Sequence, residues 1–500
     1  MELSELENRA KEILVNYQDK KLTVKERLTI AVQPMPTQEA SLRVENMEEV
    51  ALGYTRAQVQ VEALRCIDCA NAPCIKGCPV SIDIPRFIKK AAEGDFASSI
   101  EIIRESSMLP SICGRVCPQE VQCQLYCTVG KSLKSIDKAV NIGRIERYVA
   151  DWEEKNNKRK NPEIAEETNI KVAVVGSGPA SITAAADLRR AGHKVVMFEA
   201  LHKAGGVLVY GIPEFRLPKK IVQQELDALY EMGVKIEMNY LVGRTGKLHD
   251  LMERDGFEAV FIGSGAGLPR FLNIEGENLV GVFSANEYLT RSNLMKAYDR
   301  MKAGTPLYTS KKVAVFGGGN VAMDAARTAL RLGADEVTVV YRRTANEMPA
   351  RKEEIEHAHE EGIKFLYLHT PSRIIGDEKG KVTHVELIRC ELGEPDASNR
   401  RSPIEIPGSE TLYAFDTVIV AIGNSSNPLI EKTTKDLVVN KWGNIVVDEQ
   451  TCATSIPGVY AGGDIVLGSA TVILAMGQGR KAAKAMNEYL AQKKRRAQGE

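Results

Sequence analysis

Residues 171–199 read KVAVVGSGPASITAAADLRRAGHKVVMFE, and the fold follows from how this stretch is read. Val172–Val175 is an apolar run with the character of a buried parallel strand. Gly176-Ser177-Gly178-Pro179-Ala180-Ser181 then turns into an Ala-rich helix that Gly192 ends. Val195–Phe198 is a second strand, and Glu199 stands at its C-terminal end, 23 residues after Gly176. This is a βαβ unit suited to a dinucleotide. Gly176 permits the turn, Gly178 lets the backbone approach a pyrophosphate, and the helix N-terminus supplies N–H groups and a partial positive charge. Glu199 is placed to accept hydrogen bonds from a ribose. Glycines also punctuate ordinary loops, so the register of strand, helix, second strand and acid carries the reading.

A second unit begins at Lys312. Val313–Phe316 is a strand, Gly317-Gly318-Gly319-Asn320-Val321-Ala322 the turn, Ala322–Leu332 the helix and Val337–Val340 the next strand. Tyr341-Arg342-Arg343 follows, where the first unit has Glu199. An acid selects a ribose hydroxyl, whereas Arg accommodates the extra phosphate of NADP. The competing reading is two arginines on a solvated strand end. The first unit therefore reads as an FAD site and the second as an NADP(H) site. Farther on, Thr417–Ile422 is expected as an apolar strand ending in Gly423. Gly458-Val459-Tyr460-Ala461-Gly462-Gly463-Asp464 precedes a helix from about Ala470 that carries Thr471 and Val472. Gly463 and Asp464 suit a ribitol or ribose, and that helix N-terminus suits the electron-rich edge of a flavin. The segment is expected to complete the FAD domain, with the NADP unit inserted in it.

Five hundred residues suggest two to four domains. Hydrophobic content of 44% and charged content of 26% are ordinary for globular protein. Lys+Arg and Asp+Glu both number 66, which gives no case for nucleic acid or an anionic membrane as a partner. No apolar run reaches spanning length and the first residues are not signal-like, so a cytoplasmic location is the expectation.

Eight of the ten cysteines lie between Cys66 and Cys127. The first run is Cys66-x2-Cys69-x4-Cys74-x3-Cys78-Pro79; the second comprises Cys113, Cys117-Pro118, Cys123 and Cys127. Ile84–Ile103 between them has helical periodicity, and two helical segments are expected to bring the runs together. Four-thiolate zinc is the alternative. The Cys-x3-Cys-Pro ending resembles a bacterial ferredoxin run, in which the fourth cysteine reaches to the other cluster. Two iron–sulfur clusters with exchanged ligands fit the count better than two zinc knuckles.

With these pieces in place, residues 170–490 resemble the two-dinucleotide-domain flavoprotein reductases. From about residue 34 the chain resembles the small subunit of bacterial glutamate synthase. The same module occurs in bifurcating ferredoxin:NADP oxidoreductases and in the N-terminal half of dihydropyrimidine dehydrogenase. The resemblance rests on the cysteine runs, Ile112–Gln119, Ile142–Tyr148, Gly205–Leu208 with Tyr210–Pro213, and Gly458–Asp464. It implies one 4Fe–4S cluster on Cys66, Cys69, Cys74 and Cys127, and another on Cys78, Cys117, Cys123 and Glu146, with Cys113 spare. The alternative for Glu146 is a surface residue of a charged helix. Gly206, Val207 and Arg216 are assigned to cofactor binding on the same basis.

The organisation expected is α/β. Residues 1–54 are a helical extension and connector, 55–150 a helical iron–sulfur domain and 151–169 a linker. Residues 170–305 and 416–490 are two parts of a glutathione-reductase-like FAD domain around a second Rossmann-like NADP domain, 306–415. Residues 491–500 are a basic tail. The helix expected in residues 1–30 covers either this chain or a partner subunit. Leu201–Val207 holds no cysteine and the NADP unit has no Cys-x2-Cys, so electrons reaching FAD from NADPH need the N-terminal clusters as their exit. The expected function is an NADPH-dependent electron-input subunit serving a partner such as a glutamate synthase large subunit. A bifurcating transhydrogenase subunit, paired with a small flavoprotein or ferredoxin, is the alternative. A redox-sensing scaffold without catalysis is a third reading. Glu2 following Met1, where that family's amidotransferase has a cysteine nucleophile, and the lack of a second barrel argue against a whole glutamate synthase in one chain.

Overall fold

The computed structural model describes residues 3–17, 20–299, 301–306, 308–396 and 400–498. Met1, Glu2, Gly499 and Glu500 of the terminal segments lie outside the described residues.

Helix Leu3–Tyr17 buries Leu6 and Ala10, and Ala10 packs with Ala57 and Val61 of helix Arg56–Leu64. Its apolar face therefore covers its own chain. The connector after it is pinned by buried polar groups: the Gln33 N–H donates to Glu62 (2.8 Å), and the Val50 N–H donates to the Phe215 carbonyl (2.9 Å).

The cysteine region is helical. Asp83 and Asp95 each accept from the backbone N–H three residues on, so they start helices Ile84–Ala92 and Phe96–Ser106. Gly94, at φ +75°, supplies the break between them. Helices Pro110–Val116 and Ile142–Lys155 cross closely at Gly114, where a Cβ would lie 2.6 Å from the Arg147 nitrogen. This approach brings the turn after Val116 beside the middle of the second helix. That helix runs through Lys155, so the expected linker begins later than residue 151. Trp152 holds its last turn, with its ring 5.8 Å from Phe96.

The first sheet is parallel, in the order Val459–Ala461, Ala259–Ile262, Lys171–Val175, Lys194–Phe198, Lys235–Glu237. The second is also parallel: Val282–Ser284, Thr417–Val420, Lys312–Phe316, Glu336–Tyr341, Lys364–Tyr367. An antiparallel sheet of His369–Gly376, Val382–Pro395, Arg401–Glu405 and Thr411–Ala414 extends this unit.

The boundaries expected at 306 and 416 need correction, because both cut through the second sheet. Thr417–Val420 does not complete the first sheet; it pairs with Val282–Ser284 and Lys312–Phe316. An apolar run signals burial on both faces but not which sheet buries it. The chain passes between the sheets at Leu268–Pro269 and Asn424–Ser425, a two-stranded ribbon two residues long. Helix Val472–Gln498 returns across the first unit, so the expected basic tail is helical as far as it is described. Among the described residues, no helix is long and apolar enough to cross a membrane.

Candidate redox site

Around the first glycine-rich turn, backbone takes the place of side chains. Gly176 has φ +90°, and a Cβ there would lie 2.6 Å from the Gly263 carbonyl oxygen. Gly178 precedes helix Pro179–Arg190, whose second and third residues are Ala180 and Ser181. Nothing lies within 4 Å of the position a Cβ on Gly178 would occupy. That open space before a helix N-terminus is a cradle for a phosphate group. Gly206 packs against the same loop, with its Cβ position 2.9 Å from the Gly178 Cα, and Val207 starts the short helix Val207–Tyr210 behind it.

Glu199 is buried; it accepts from the Ser177 hydroxyl and from the Leu201 N–H (2.8 Å). Ser177 Oγ in turn accepts from the Gly205 N–H at 2.9 Å. Gly463, at φ +81°, sits against Ala180 and donates its N–H to Gln478 Oε1 at 2.6 Å. Burial pushes the Asp464 carboxyl up to about 6, against the Ala470 N–H, which donates to it at 3.1 Å. Gln478 and Ser177 hold this loop in shape. Both stand inside stretches already singled out, and only the fold shows what they touch.

The second turn repeats the backbone solution. Gly317 has φ +143°, with its Cβ position 2.3 Å from the Ala421 carbonyl oxygen, and Gly319 precedes helix Asn320–Arg331. Asn320 Oδ1 accepts from the Arg351 N–H (2.9 Å), and Val321 is partly exposed beside it. Arg342 and Arg343 part company. Arg342 is exposed. Arg343 is buried and donates to the Arg401 carbonyl (2.6 Å) and to Asp396 (2.7 Å). Arg216 is likewise committed: it pairs with Asp324 (2.7 Å) and Glu354 (3.1 Å), in the junction between the two units.

All ten cysteines are free thiols, and those between Cys66 and Cys127 gather in two places while Cys390 and Cys452 stand apart. Cys66, Cys69, Cys74 and Cys127 converge. Burial pushes Cys66 up to about 11 and Cys74 up to about 12, with the neighbouring thiols of the group adding to it. Cys78, Cys117 and Cys123 converge with Glu146: burial, with Glu146 and Cys117 adding to it, raises Cys78 to about 11. Glu146 is buried, its Oε1 has no hydrogen-bond partner, and burial pushes its carboxyl up to about 8. A buried carboxylate with an unpartnered oxygen is costly, and this one stands among the thiols of Cys78, Cys113 and Cys123. Cys113 lies in the same group: it sits beside Cys117 and 3.5 Å from Met476 Sδ, and Cys117, burial, Glu146 and Cys78 all raise its thiol. Among the described residues, no three His, Cys, Asp or Glu close to the spacing of a single metal ion.

The second cysteine group borders the first dinucleotide unit. Gln122, next to Cys123, donates to Thr471 Oγ1 at 3.3 Å, just before helix Val472–Gln498. A Cβ on Gly477 of that helix would lie 2.8 Å from the carbonyl oxygen of Pro79, next to Cys78. On its other side Gly479 packs against Ala180. One helix thus touches both the cysteine region and the Gly178 turn.

A helical cysteine domain fused to two parallel nucleotide-binding-type sheets defines an iron–sulfur pyridine-nucleotide oxidoreductase, and comparisons with known proteins agree. Residues 43–158 match the dihydropyrimidine dehydrogenase domain II, 4Fe-4S cluster family, and residues 170–485 match the pyridine nucleotide-disulphide oxidoreductase family. The glutamate synthase (NADPH) small chain of Azospirillum brasilense is 36% identical over 91% of this chain and 94% of its own length. The NADP(+)-dependent formate dehydrogenase subunit beta of Moorella thermoacetica is 39% identical over 84% of this chain, which spans 60% of that relative. FprA of Mycobacterium tuberculosis, solved with NADPH, shares the fold (TM-score 0.56, 22% identity, 66% of this chain and 86% of that one). The chain belongs to the pyridine nucleotide-disulphide oxidoreductase family and, within it, to the glutamate synthase small-chain group.

Proposed function

We propose that this chain is the NADPH-dependent electron-input subunit of a larger enzyme, with FAD on the first unit, NADP(H) on the second and two 4Fe–4S clusters in the cysteine domain. The observation that carries the reading is the double contact of helix Val472–Gln498. It touches Pro79 beside one cysteine group on one face and Ala180 at the glycine-rich turn on the other. Gly176, Gly178, Pro179, Ala180, Ser181, Glu199, Gly206, Val207, Gly463, Asp464, Thr471 and Val472 would hold FAD. Gly317, Gly319, Asn320, Val321 and Arg342 would hold NADP(H), with Arg343 bracing the strand end. Cys66, Cys69, Cys74 and Cys127 would bind one cluster, and Cys78, Cys117, Cys123 and Glu146 the other.

The chemistry supplied by the bound groups is hydride acceptance at the flavin and one-electron carriage at the clusters. The chain's own residues bind and orient. The two helix N-termini receive pyrophosphates, Glu199 and Asp464 take hydroxyl donors, and helix Val472–Gln498 closes the gap between flavin and second cysteine group. No side-chain nucleophile or general base is required. Cys66, Cys69, Cys74 and Cys78 are only partly buried whereas Cys117, Cys123 and Cys127 are buried, so a partner subunit would draw or deliver electrons on the side of the first cysteine run. The division we favour is 55–155 for the cluster domain, about 170–268 with 425–490 for FAD, and 269–424 for NADP(H).

Protein prepared without oxygen tests this. It should carry one FAD, about eight iron and about eight labile sulfides per chain, and its flavin absorbance should bleach with NADPH in preference to NADH. Stoichiometric zinc without sulfide, or flavin untouched by either nucleotide, would overturn the reading.

A further inference from the structure

The two dinucleotide units are joined covalently only by the ribbon of Leu268–Pro269 and Asn424–Ser425, a slender connection about which one unit could swing. A buried array of charge holds them instead. Arg216 lies ten residues beyond Gly206, which packs on the Gly178 turn. Its Nη1 meets Asp324 at 2.7 and 2.8 Å, and its Nε meets Glu354 at 3.1 Å. Asp324 is one turn into helix Asn320–Arg331, directly behind the second glycine-rich turn. Glu361 collects three further arginines: Arg327 and Arg331 of that helix at 2.7 Å each, and Arg43 of the N-terminal connector at 2.8 Å. The Phe215 ring is wedged under Arg331 and Arg327, at 4.0 and 4.8 Å. Each side chain of the array is at most 7% exposed.

We propose that Arg216 is a positioning residue for hydride transfer, its contact with Asp324 fixing the orientation in which the NADP(H) unit faces the flavin site. The inference rests on the function proposed above. Buried charges do not slide past one another as surface pairs do, because any rotation leaves a carboxylate or guanidinium unpaired in a medium of low dielectric constant. The junction therefore has one favoured register. The step it serves moves a proton with two electrons, one hydride, from NADPH to oxidised flavin and leaves NADP+. Such a transfer needs the reacting atoms about 3–3.5 Å apart, and an error of about 1 Å costs about a hundredfold in rate.

The test uses the loaded protein: wild type, Arg216→Met, Asp324→Asn, the double variant and Arg216→Lys, mixed anaerobically with saturating NADPH. Each single substitution should slow flavin bleaching at least about tenfold, with flavin content and NADPH affinity little changed. The double variant should be no slower than Arg216→Met, since that substitution already removes the Arg216–Asp324 contact. Amide exchange in helix Asn320–Arg331, followed without nucleotide, should quicken in Arg216→Met. Arg216→Lys keeps the charge but reaches only one acid, so it should retain part of the rate, and it replaces Arg216→Met if that variant loses its flavin. A wild-type rate in these single variants overturns the inference. So does lost NADPH affinity at an unchanged limiting rate, which would make Arg216 a nucleotide ligand. Wild-type flavin that NADPH does not bleach defeats the hydride reading itself, and the exchange data then judge the junction alone.

Discussion

The two glycine-rich turns adopt the same backbone path and diverge at the end of the strand that follows. After Lys194–Phe198 the chain presents one acid, Glu199, which is buried and steadied by Ser177 and the Leu201 N–H. After Glu336–Tyr341 it presents two cations, and the structure sends Arg342 outward and Arg343 inward to Asp396. Both arginines follow the strand in a bend, where the chain turns one side chain outward and the next inward. Adjacent arginines are therefore not a two-pronged clamp: one faces outward and the other braces the strand end.

The largest effects should come from the turns themselves. Gly176→Val places a side chain at φ +90° against the Gly263 carbonyl and should destabilise the protein by about 3 kcal/mol or more, read as a fall in Tm. Gly178→Val meets open space, so it should leave the Tm of the cofactor-free protein unchanged while abolishing flavin retention. Flavin kept by Gly178→Val would break the assignment of this turn.

The same separation of neighbours applies to the second cysteine group. Glu146→Ala should remove about half the iron and alter one cluster's spectrum while NADPH still bleaches the flavin, whereas Cys113→Ser should leave both clusters intact. The reverse outcome would assign the ligand position to Cys113.

Arg342→Ala should raise the KM for NADPH by about thirtyfold, equivalent to about 2 kcal/mol, and leave that for NADH in place. Arg343→Ala should lower Tm and affect both nucleotides alike. Equal losses for both nucleotides in Arg342→Ala would remove the phosphate argument. Glu199→Gln should weaken flavin retention about tenfold, about 1.4 kcal/mol, by equilibrium dialysis.

The smallest effect is acid dependence of the junction between the units. Burial would raise the Glu354 carboxyl, but Arg216 and Arg327 outweigh it and hold it down to about 2. The unfolded value is about 4.3. The stabilisation is therefore present above about pH 4.5 and lost as pH falls through 2, amounting to less than about 1 kcal/mol by pH 4. Denaturant unfolding of the cofactor-free protein at pH 7 and pH 4 measures it as the difference between wild type and Glu354→Gln, because Asp324, pushed up to about 6 by burial, titrates between these pH values in both proteins with the opposite sign.

Much was legible in the chain itself. The βαβ boundaries around Gly176 and Gly317 and the helices between the cysteine runs were readable before any fold. These features are local, or carried by spacing: a glycine-rich turn between an apolar strand and an Ala-rich helix is encoded within about thirty residues. The sequence also determined what the chain lacks, since no cysteine follows Glu199 in Leu201–Val207 to form the usual dithiol exit. Only the tertiary structure decided that Thr417–Val420 joins the second sheet, that Arg343 turns inward, and that Arg216 meets Asp324 across 108 residues. Pattern and propensity report that a strand is apolar or a side chain charged. Partner choice depends on which distant surfaces burial brings together, and a buried charge takes whichever opposite charge the packed fold delivers to it.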